Sequence, residues 1–366
     1  RIFAAEHGVT PLQYVQTRRL LLAKQLLTDS SLPIAQVALA SGYKSLRRFN
    51  AAFADSYRMS PTWLRGAAAE GSPSVATGVT LTLAYRAPYD HVALLRFLAQ
   101  RAIPGVEQVS GNCVRRGVRA GVLAADAGWL EADLGTLPGR VRLSCAPQFA
   151  PSSGRLVAAA RQWLDLDAMP QAIDEALHDL PGAPGLRLPG SIDAFELAVR
   201  AVLGQQVTVA AARTLATRLV QAFGTPLATP WAEVDRAFPE PQALADLAVD
   251  CIAELGIIRS RARAILGLAQ AWAELGPMID ARTAPQALIE RLCALPGIGP
   301  WTAHYIAMRA LGWPDAFPPG DVAVLKAMQQ RFDTPTPRAA EARALAWQPW
   351  RAYAVLRLWN SLETKP

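Results

Sequence analysis

From about Pro170 to the C-terminus, apolar residues recur three and four apart in short stretches broken by Pro and Gly, which predicts an almost wholly helical region. Between Val79 and about Leu166 the period changes. Short strand-like runs at 79–83, 118–122, 129–134 and 140–143 accompany helical patterns at about 90–102 and 155–166. That alternation predicts an antiparallel sheet covered by helices. Residues 66–78 are rich in Ala, Gly, Ser and Pro and read as a linker. In front of it, Leu20, Leu21, Ala23, Leu26 and Leu27 form a helical stripe expected to face a core. A short helix then runs from Pro33 to Ala40, with Ile34, Val37 and Ala38 on one face, and Ser41-Gly42-Tyr43 makes a turn. A second helix, from about Ser45, carries Leu46, Phe49 and Phe53 inward and turns Arg47, Arg48 and Asn50 outward. This is helix-turn-helix patterning, in which the second helix suits a major groove. Lys44, Ser45, Arg47, Arg48 and Asn50 are its candidate DNA contacts.

Composition changes this picture in three ways. At 366 residues the chain has room for two to four domains, mainly α with one α+β domain. The net charge is +7 with a pI near 9.5, which suits a nucleic-acid partner. Nine Lys and Arg against Glu6, Asp29 and Asp55 place six of those seven charges in residues 1–65. No run of 18 apolar residues exists, so neither a transmembrane helix nor a signal peptide is expected. Cys113, Cys145, Cys251 and Cys293 are scattered, as in proteins of a reducing cytoplasm.

The chemistry concentrates in 295–303, Leu-Pro-Gly-Ile-Gly-Pro-Trp-Thr-Ala, with Asp321 twenty residues after its Trp. A helix reaching Leu295 stops at Pro296 and Gly297, where the glycines at 297 and 299 permit a tight turn. The next helix starts near Pro300, an apt first-turn residue. Its leading amides have no helical partner and suit a phosphate, a grip on backbone and not on bases. Gly297, Ile298, Gly299 and Thr302 are the candidate phosphate-binding residues. The Gly-x-Gly alone suits a plain corner between two helices equally well. Asp321 also reads as an N-cap for Val322-Ala323-Val324-Leu325, and a carboxylate can fill both roles.

The wider window resembles the helix-hairpin-helix DNA glycosylases, in which a hairpin precedes a Gly/Pro-rich loop and a catalytic Asp; the corresponding residues are 317–321, Phe-Pro-Pro-Gly-Asp. Bifunctional members carry a nucleophilic lysine where this chain has Trp301, so the resemblance narrows to the monofunctional branch, the 3-methyladenine DNA glycosylase II (AlkA) type. The match spans roughly 79–362, through Ala87-Pro88-Tyr89-Asp90, Gly185-Leu186-Arg187-Leu188-Pro189-Gly190, Asp193-Ala194-Phe195-Glu196, Gly204-Gln205-Gln206-Val207 and Trp347-Gln348-Pro349-Trp350-Arg351 leading to Trp359. Residues 1–65 resemble the AraC-type regulator domain, on Gly8-Val9-Thr10-Pro11, Tyr14 and Met59-Ser60-Pro61 with Trp63. That domain has two helix-turn-helix units, and Arg1-Ile2-Phe3 resembles the middle of the first recognition helix, so an N-terminally truncated domain is expected. Fusions of this kind belong to the bacterial adaptive response to alkylation.

The resemblance implies an order of parts: helix-turn-helix bundle 1–65, linker 66–78, small α+β domain 79–168, and helical core 169–366, the core divided into about 195–313 and 169–194 with 314–366. It implies excision of alkylated bases from double-stranded DNA by base flipping, with Asp321 catalytic. Trp301, Tyr305, Trp359 and Phe97 line the base pocket, and Gln206, with Gln205 beside it, forms the wedge that fills the vacated stack. A monovalent cation at the carbonyls of Cys293, Leu295 and Gly297 is the one metal expected; zinc and an iron–sulfur cluster are not. A monomer in the bacterial cytoplasm, associated with the nucleoid and touching promoter DNA through 1–65, completes the expectation. The alternative is a catalytically silent regulator that senses damaged DNA, and a base-release assay separates the two.

Overall fold

The computed structural model describes residues 10–29, 32–68, 78–279, 283–332 and 336–363; Arg1-Ile2-Phe3 and most of the expected linker lie outside them. Four helices open the described chain: α1 (Pro11–Asp29), α2 (Ile34–Ala40), α3 (Leu46–Tyr57) and α4 (Pro61–Ala68). Ser45 caps α3 by accepting from the Arg48 amide, and Arg58 ends it in a left-handed turn. Phe49 and Phe53 are fully buried and pack in a row with Tyr43 and Tyr57, while Lys44, Arg47, Arg48 and Asn50 face solvent. Two expectations are corrected. Leu21 is half exposed because the buried stripe of α1 is Leu20, Ala23, Leu26 and Leu27, spaced three and four apart, and Leu21 falls off that face. Leu46 is exposed because it occupies the first turn of α3, outside the Phe49–Phe53 face.

The sheet has five antiparallel strands in the order β1 (Val79–Ala84), β5 (Arg140–Cys145), β4 (Gly128–Asp133), β3 (Cys113–Val118), β2 (Glu107–Ser110). The strand expected at 118–122 is instead Cys113–Val118, joined to β2 by Gly111 and Asn112. After Val118 the chain leaves the sheet. Arg119 turns to ion-pair with Asp193, and Gly121 takes φ +79°. Helices α5 (His91–Arg101) and α6 (Ser153–Trp163) accompany the sheet. One hydrophobic core runs without a break from Leu20–Phe53 of the helical bundle into the sheet and α6. At that contact Leu22 lies directly on Gly154, where a Cβ would sit 2.9 Å from its methyl carbon.

The helical region has two further cores. One joins α8 (Ala194–Leu203), α9 (Val209–Phe223), α10 (Pro241–Ala245), α11 (Val249–Ala253), α12 (Arg259–Leu275) and α13 (Pro285–Cys293) to α14 (Pro300–Ile306). The other gathers Ala168–Leu188, with α7 (Pro170–Ala176) inside it, and α15 (Val322–Phe332), α16 (Pro337–Ala344) and α17 (Arg351–Glu363). A buried ionic cluster clamps the sheet onto α8. Arg116 bonds Glu107 and Glu196, and Arg200 bonds the same two carboxylates, at 2.6–3.1 Å. With Arg119–Asp193 beside it, every buried charge there has a partner, so losing one member strands another at several kcal/mol. No described helix is long and apolar enough to cross a membrane.

Candidate active site

The helix–turn–helix corner at 293–300 forms as its sequence dictates, with one refinement. Helix α13 ends at Cys293, and Gly297 takes φ +85° against α12, where a Cβ would stand 2.9 Å from that of Ala264. Only glycine meets both conditions. Gly299 is different: its φ of −90° suits any residue, and a Cβ there would meet nothing within 4 Å. It leaves the start of α14 bare. Ile298 is buried and its amide is bonded to the Leu295 carbonyl, and Thr302 is also buried. The side chains of Ile298 and Thr302 therefore face the protein, and the exposed backbone at the corner belongs to Gly297 and Gly299.

Helix α14 projects Trp301 and Tyr305 from one face, stacked at 5.3 Å between centroids and 9° between planes. A π-helical turn, Ala307–Leu311, continues it; such turns recur at functional sites. Within that turn Arg309 donates at 2.8 Å to the Tyr305 hydroxyl and is fixed by the carbonyls of Pro189 and Gly190. Burial by itself raises the Tyr305 phenol, but the cations Arg309, Arg101 and Arg200 outweigh it and leave its pKa lowered. Trp359, from α17, closes the cluster with its ring 6.3 Å from Tyr305.

Asp321 ties these elements together. Its Oδ2 accepts from Trp301 Nε1 at 2.8 Å; its Oδ1 accepts from Trp359 Nε1 at 3.1 Å and from the Val324 amide at 2.8 Å. The carboxylate is thus an N-cap and the meeting point of two indoles at once. An ionised carboxyl has about four acceptor positions, so three donors leave about one for a further partner. Asp321 is 7% exposed.

Asp321, Trp301, Tyr305 and Trp359 all line one cavity of about 410 Å³, together with Arg101, Arg200 and Arg309. The Asp321 carboxylate sits with the indoles, while Arg101, Arg200 and Arg309 act on the Tyr305 phenol; Arg213 also lines the cavity. Phe97 does not reach this lining. It lies one layer behind, covered by Arg101 at 3.7 Å and Arg309 at 4.8 Å, and faces a neighbouring crevice. Sequence reasoning misses the arginines. Arg309 continues the Trp301–Tyr305 spacing by four and is in principle readable; Arg101 and Arg200 come from other elements and are not.

The turn after α8 reaches the same cavity through Gly204 and Val207. Gln206 sits in this turn with φ +53° and an exposed side chain. Gln205 points the other way. Its Nε2 donates to the Gly297 carbonyl at 2.9 Å and to Thr302 Oγ1 at 3.0 Å, so its side chain is committed to the hairpin and Gln206 alone projects outward.

Comparison with known proteins gives a consistent pattern. Residues 1–67 match the helix-turn-helix domain model, 80–193 the AlkA N-terminal domain, and 199–352 the HhH-GPD superfamily base excision DNA repair protein model. A probable bifunctional transcriptional activator/DNA repair enzyme AlkA of Mycobacterium tuberculosis is 36% identical over 379 aligned positions, covering 99% of this chain and 74% of the relative. DNA-3-methyladenine glycosylase 2 of Escherichia coli is 36% identical over 287 positions, 78% of this chain and 98% of the relative. Among solved structures, a 3-methyladenine DNA-glycosylase from Archaeoglobus fulgidus superposes with a TM-score of 0.66 at 19% identity, covering 77% of this chain and 98% of that one.

Proposed function

The chain belongs to the HhH-GPD superfamily of base excision DNA repair proteins, in its AlkA branch with a helix-turn-helix domain in front, and from that premise we propose that it flips alkylated purines out of duplex DNA and cleaves them at Asp321. It is a DNA glycosylase, a hydrolase of N-glycosyl bonds. The observation that carries the reading of the site is the grip of two indoles and a helix amide on one buried carboxylate at the edge of an aromatic cavity.

The cavity suits bases of the 3-methyladenine and 7-methylguanine type. Such bases are cationic, and electron-rich rings attract a cation by about 0.5–2 kcal/mol per contact. Trp301 and Tyr305 already touch, so the base takes an outer face of that stack with Trp359 beside it. As the N-glycosidic bond breaks, its electron pair goes to the base and C1′ becomes cationic. Asp321 stabilises that charge in a site largely screened from water. A water adds at C1′ and its proton leaves by way of Asp321. At the phenol end, the Tyr305 hydroxyl, polarised by the donating Arg309, is free to donate a hydrogen bond to the base as the electron pair returns to it. An alkylated purine leaves without prior protonation, so one carboxylate serves where sugar hydrolases use two.

Around this centre, exposed Gln206 is the wedge, and the backbone at Gly297 and Gly299 holds a DNA phosphate. The carbonyls of Cys293, Leu295 and Gly297 would be the ligands of a monovalent cation. Those of Leu295 and Gly297 each accept one hydrogen bond and keep a second lone pair, and the cation would add positive charge at the phosphate. In the front domain, Lys44 just before α3 and Arg47, Arg48 and Asn50 along it face solvent as promoter DNA contacts, while Ser45 serves as the cap. The test is incubation with N-methylated duplex DNA. Free 3-methyladenine and 7-methylguanine should appear, with no strand nicking and no complex trapped by borohydride. Absence of released base would leave only a DNA-binding protein.

A further inference from the structure

Gln205 has a side chain that the excision reaction does not call for, yet it is the direct polar link between the Gln206 turn and the hairpin. One carboxamide nitrogen spans them, donating to the Gly297 carbonyl at 2.9 Å and to Thr302 Oγ1 at 3.0 Å. From beneath, Arg261 of α12 donates to the Gln205 main-chain carbonyl. The same helix supports the hairpin at Ala264, against which Gly297 is packed too closely to tolerate a Cβ. Turn, hairpin and α12 therefore form a closed triangle of contacts.

The backbone of Gln206 carries the sign of that constraint. A non-glycine residue at φ +53° persists where its neighbours leave no alternative. On one side Gln205 is fixed by its side chain and its carbonyl. On the other, Thr208 starts α9 by accepting from the Ala211 amide at 3.2 Å. Gln206 is held between two anchors and aimed outward, and its own side chain does nothing to hold it.

We propose that Gln205 is a positioning residue that locks the Gln206 turn to the hairpin, so that seating the hairpin on the DNA backbone sets how far Gln206 enters the duplex. This rests on the reading of Gln206 as wedge and of the hairpin as backbone grip. The carboxamide acts as a gauge: phosphate contact and stack invasion share one rigid frame and do not adjust independently.

The test uses Gln205→Met, which removes both donated hydrogen bonds at nearly constant length, alone and combined with Gln206→Ala. The probe is a duplex with a tetrahydrofuran abasic-site analogue and 2-aminopurine beside the gap, whose fluorescence reports unstacking. Gln206→Ala in the parent protein should lower the fluorescence rise severalfold; if it does not, the wedge reading has failed and the proposal falls with it. With the wedge effect present, Gln205→Met should lower the melting temperature by no more than a few degrees, the cost of the lost hydrogen bonds, and leave the salt dependence of binding to undamaged duplex unchanged. It should cut the fluorescence rise and single-turnover base release about tenfold, with little change in KM. Adding Gln206→Ala to Gln205→Met should then cost almost nothing more, because two residues of one device are not additive. Full fluorescence in Gln205→Met, or losses that multiply independently in the double variant, would overturn the proposal. Gln205→Glu gives a second arm: its carboxylate faces the Gly297 carbonyl as acceptor to acceptor, and should lose the fluorescence rise at neutral pH at least as fully as Met.

Discussion

Replacing Asp321 by Asn separates the two jobs of this carboxylate. The cap survives, since Asn is as good an N-cap as Asp and can still accept from the Val324 amide. Trp359 Nε1 bonds the same oxygen and is also kept. The second oxygen becomes an NH2 group, and at 2.8 Å it meets Trp301 Nε1, donor against donor. A buried donor left without an acceptor costs about 1–3 kcal/mol. In a chain of this size that lowers the melting temperature by only a few degrees. The chemical loss is larger, because no negative charge remains to meet the cationic sugar. Removing one preorganised electrostatic group costs about 10²–10³ in rate, and here the full charge is lost. The assay is single-turnover release of 7-methylguanine from methylated duplex, with abasic-analogue binding and thermal melting measured in parallel. At least a hundredfold slower release with binding within a few-fold of the parent is expected. Release within tenfold of the parent would refute the assignment; so would a melting temperature lowered by more than ten degrees, which would make Asp321 a structural residue first.

Other consequences are equally direct. Trp359→Phe keeps the ring and deletes one donor to Asp321, so base release should fall about 10–100-fold, the worth of a hydrogen bond to a charged group, with abasic-DNA affinity held; equal rates would disconnect the indole from the carboxylate. Gly299→Ala should leave the melting temperature unchanged, because its Cβ meets nothing, and weaken DNA binding by obstructing the phosphate, whereas Gly297→Ala should destabilise the fold; equal behaviour of the two variants would contradict the backbone grip. Partly buried Asp165 has a pKa raised to about 6, with desolvation outweighing its bonds from the Leu188 amide and Tyr353 hydroxyl. Since the folded value exceeds the unfolded value of about 3.9, its contribution is fully present below pH 4 and is lost as pH rises to 6, by roughly 3 kcal/mol. Asp165→Asn keeps the accepting oxygen and suits φ +52°, so it should flatten that slope in denaturant titrations and stabilise the protein at pH 7.5; a less stable variant there would refute the argument. Gly154→Val places a branched side chain where Leu22 lies and should make residues 10–68 sensitive to protease while base release continues; a protected bundle would mean that the contact is dispensable.

Much of the fold and of the site is legible in the amino-acid sequence. Periodicity places Phe49 and Phe53 in a core, and the four-residue spacing of Trp301 and Tyr305 puts two aromatics on one face. Failures have local causes. The run 118–122 alternates like a strand, but Arg119 gains more from Asp193 than the sheet offers, and Glu107–Ser110 has too few apolar residues to signal an edge strand. Two adjacent glutamines carry no orientation. The left-handed backbone at Gln206 separates them, and side-chain chemistry does not announce it. Arg101 and Arg200 reach the cavity from a helix of the α+β domain and from α8, an encounter that only tertiary packing creates.

The core shared between the front helices and the sheet alters how the promoter contact proposed for α3 would operate. A domain on a loose tether contributes an effective concentration that varies gently with tether length. A docked domain has no such latitude. Its α3 and the cavity stand at one separation and one angle, so if α3 contacts DNA as proposed, a single duplex would engage both only by following the curvature those two points impose, and otherwise the two sites would compete for DNA as strangers. Linked occupancy thus becomes a property of DNA shape, measurable with pre-bent or nicked duplexes, and independent of how long the intervening chain is.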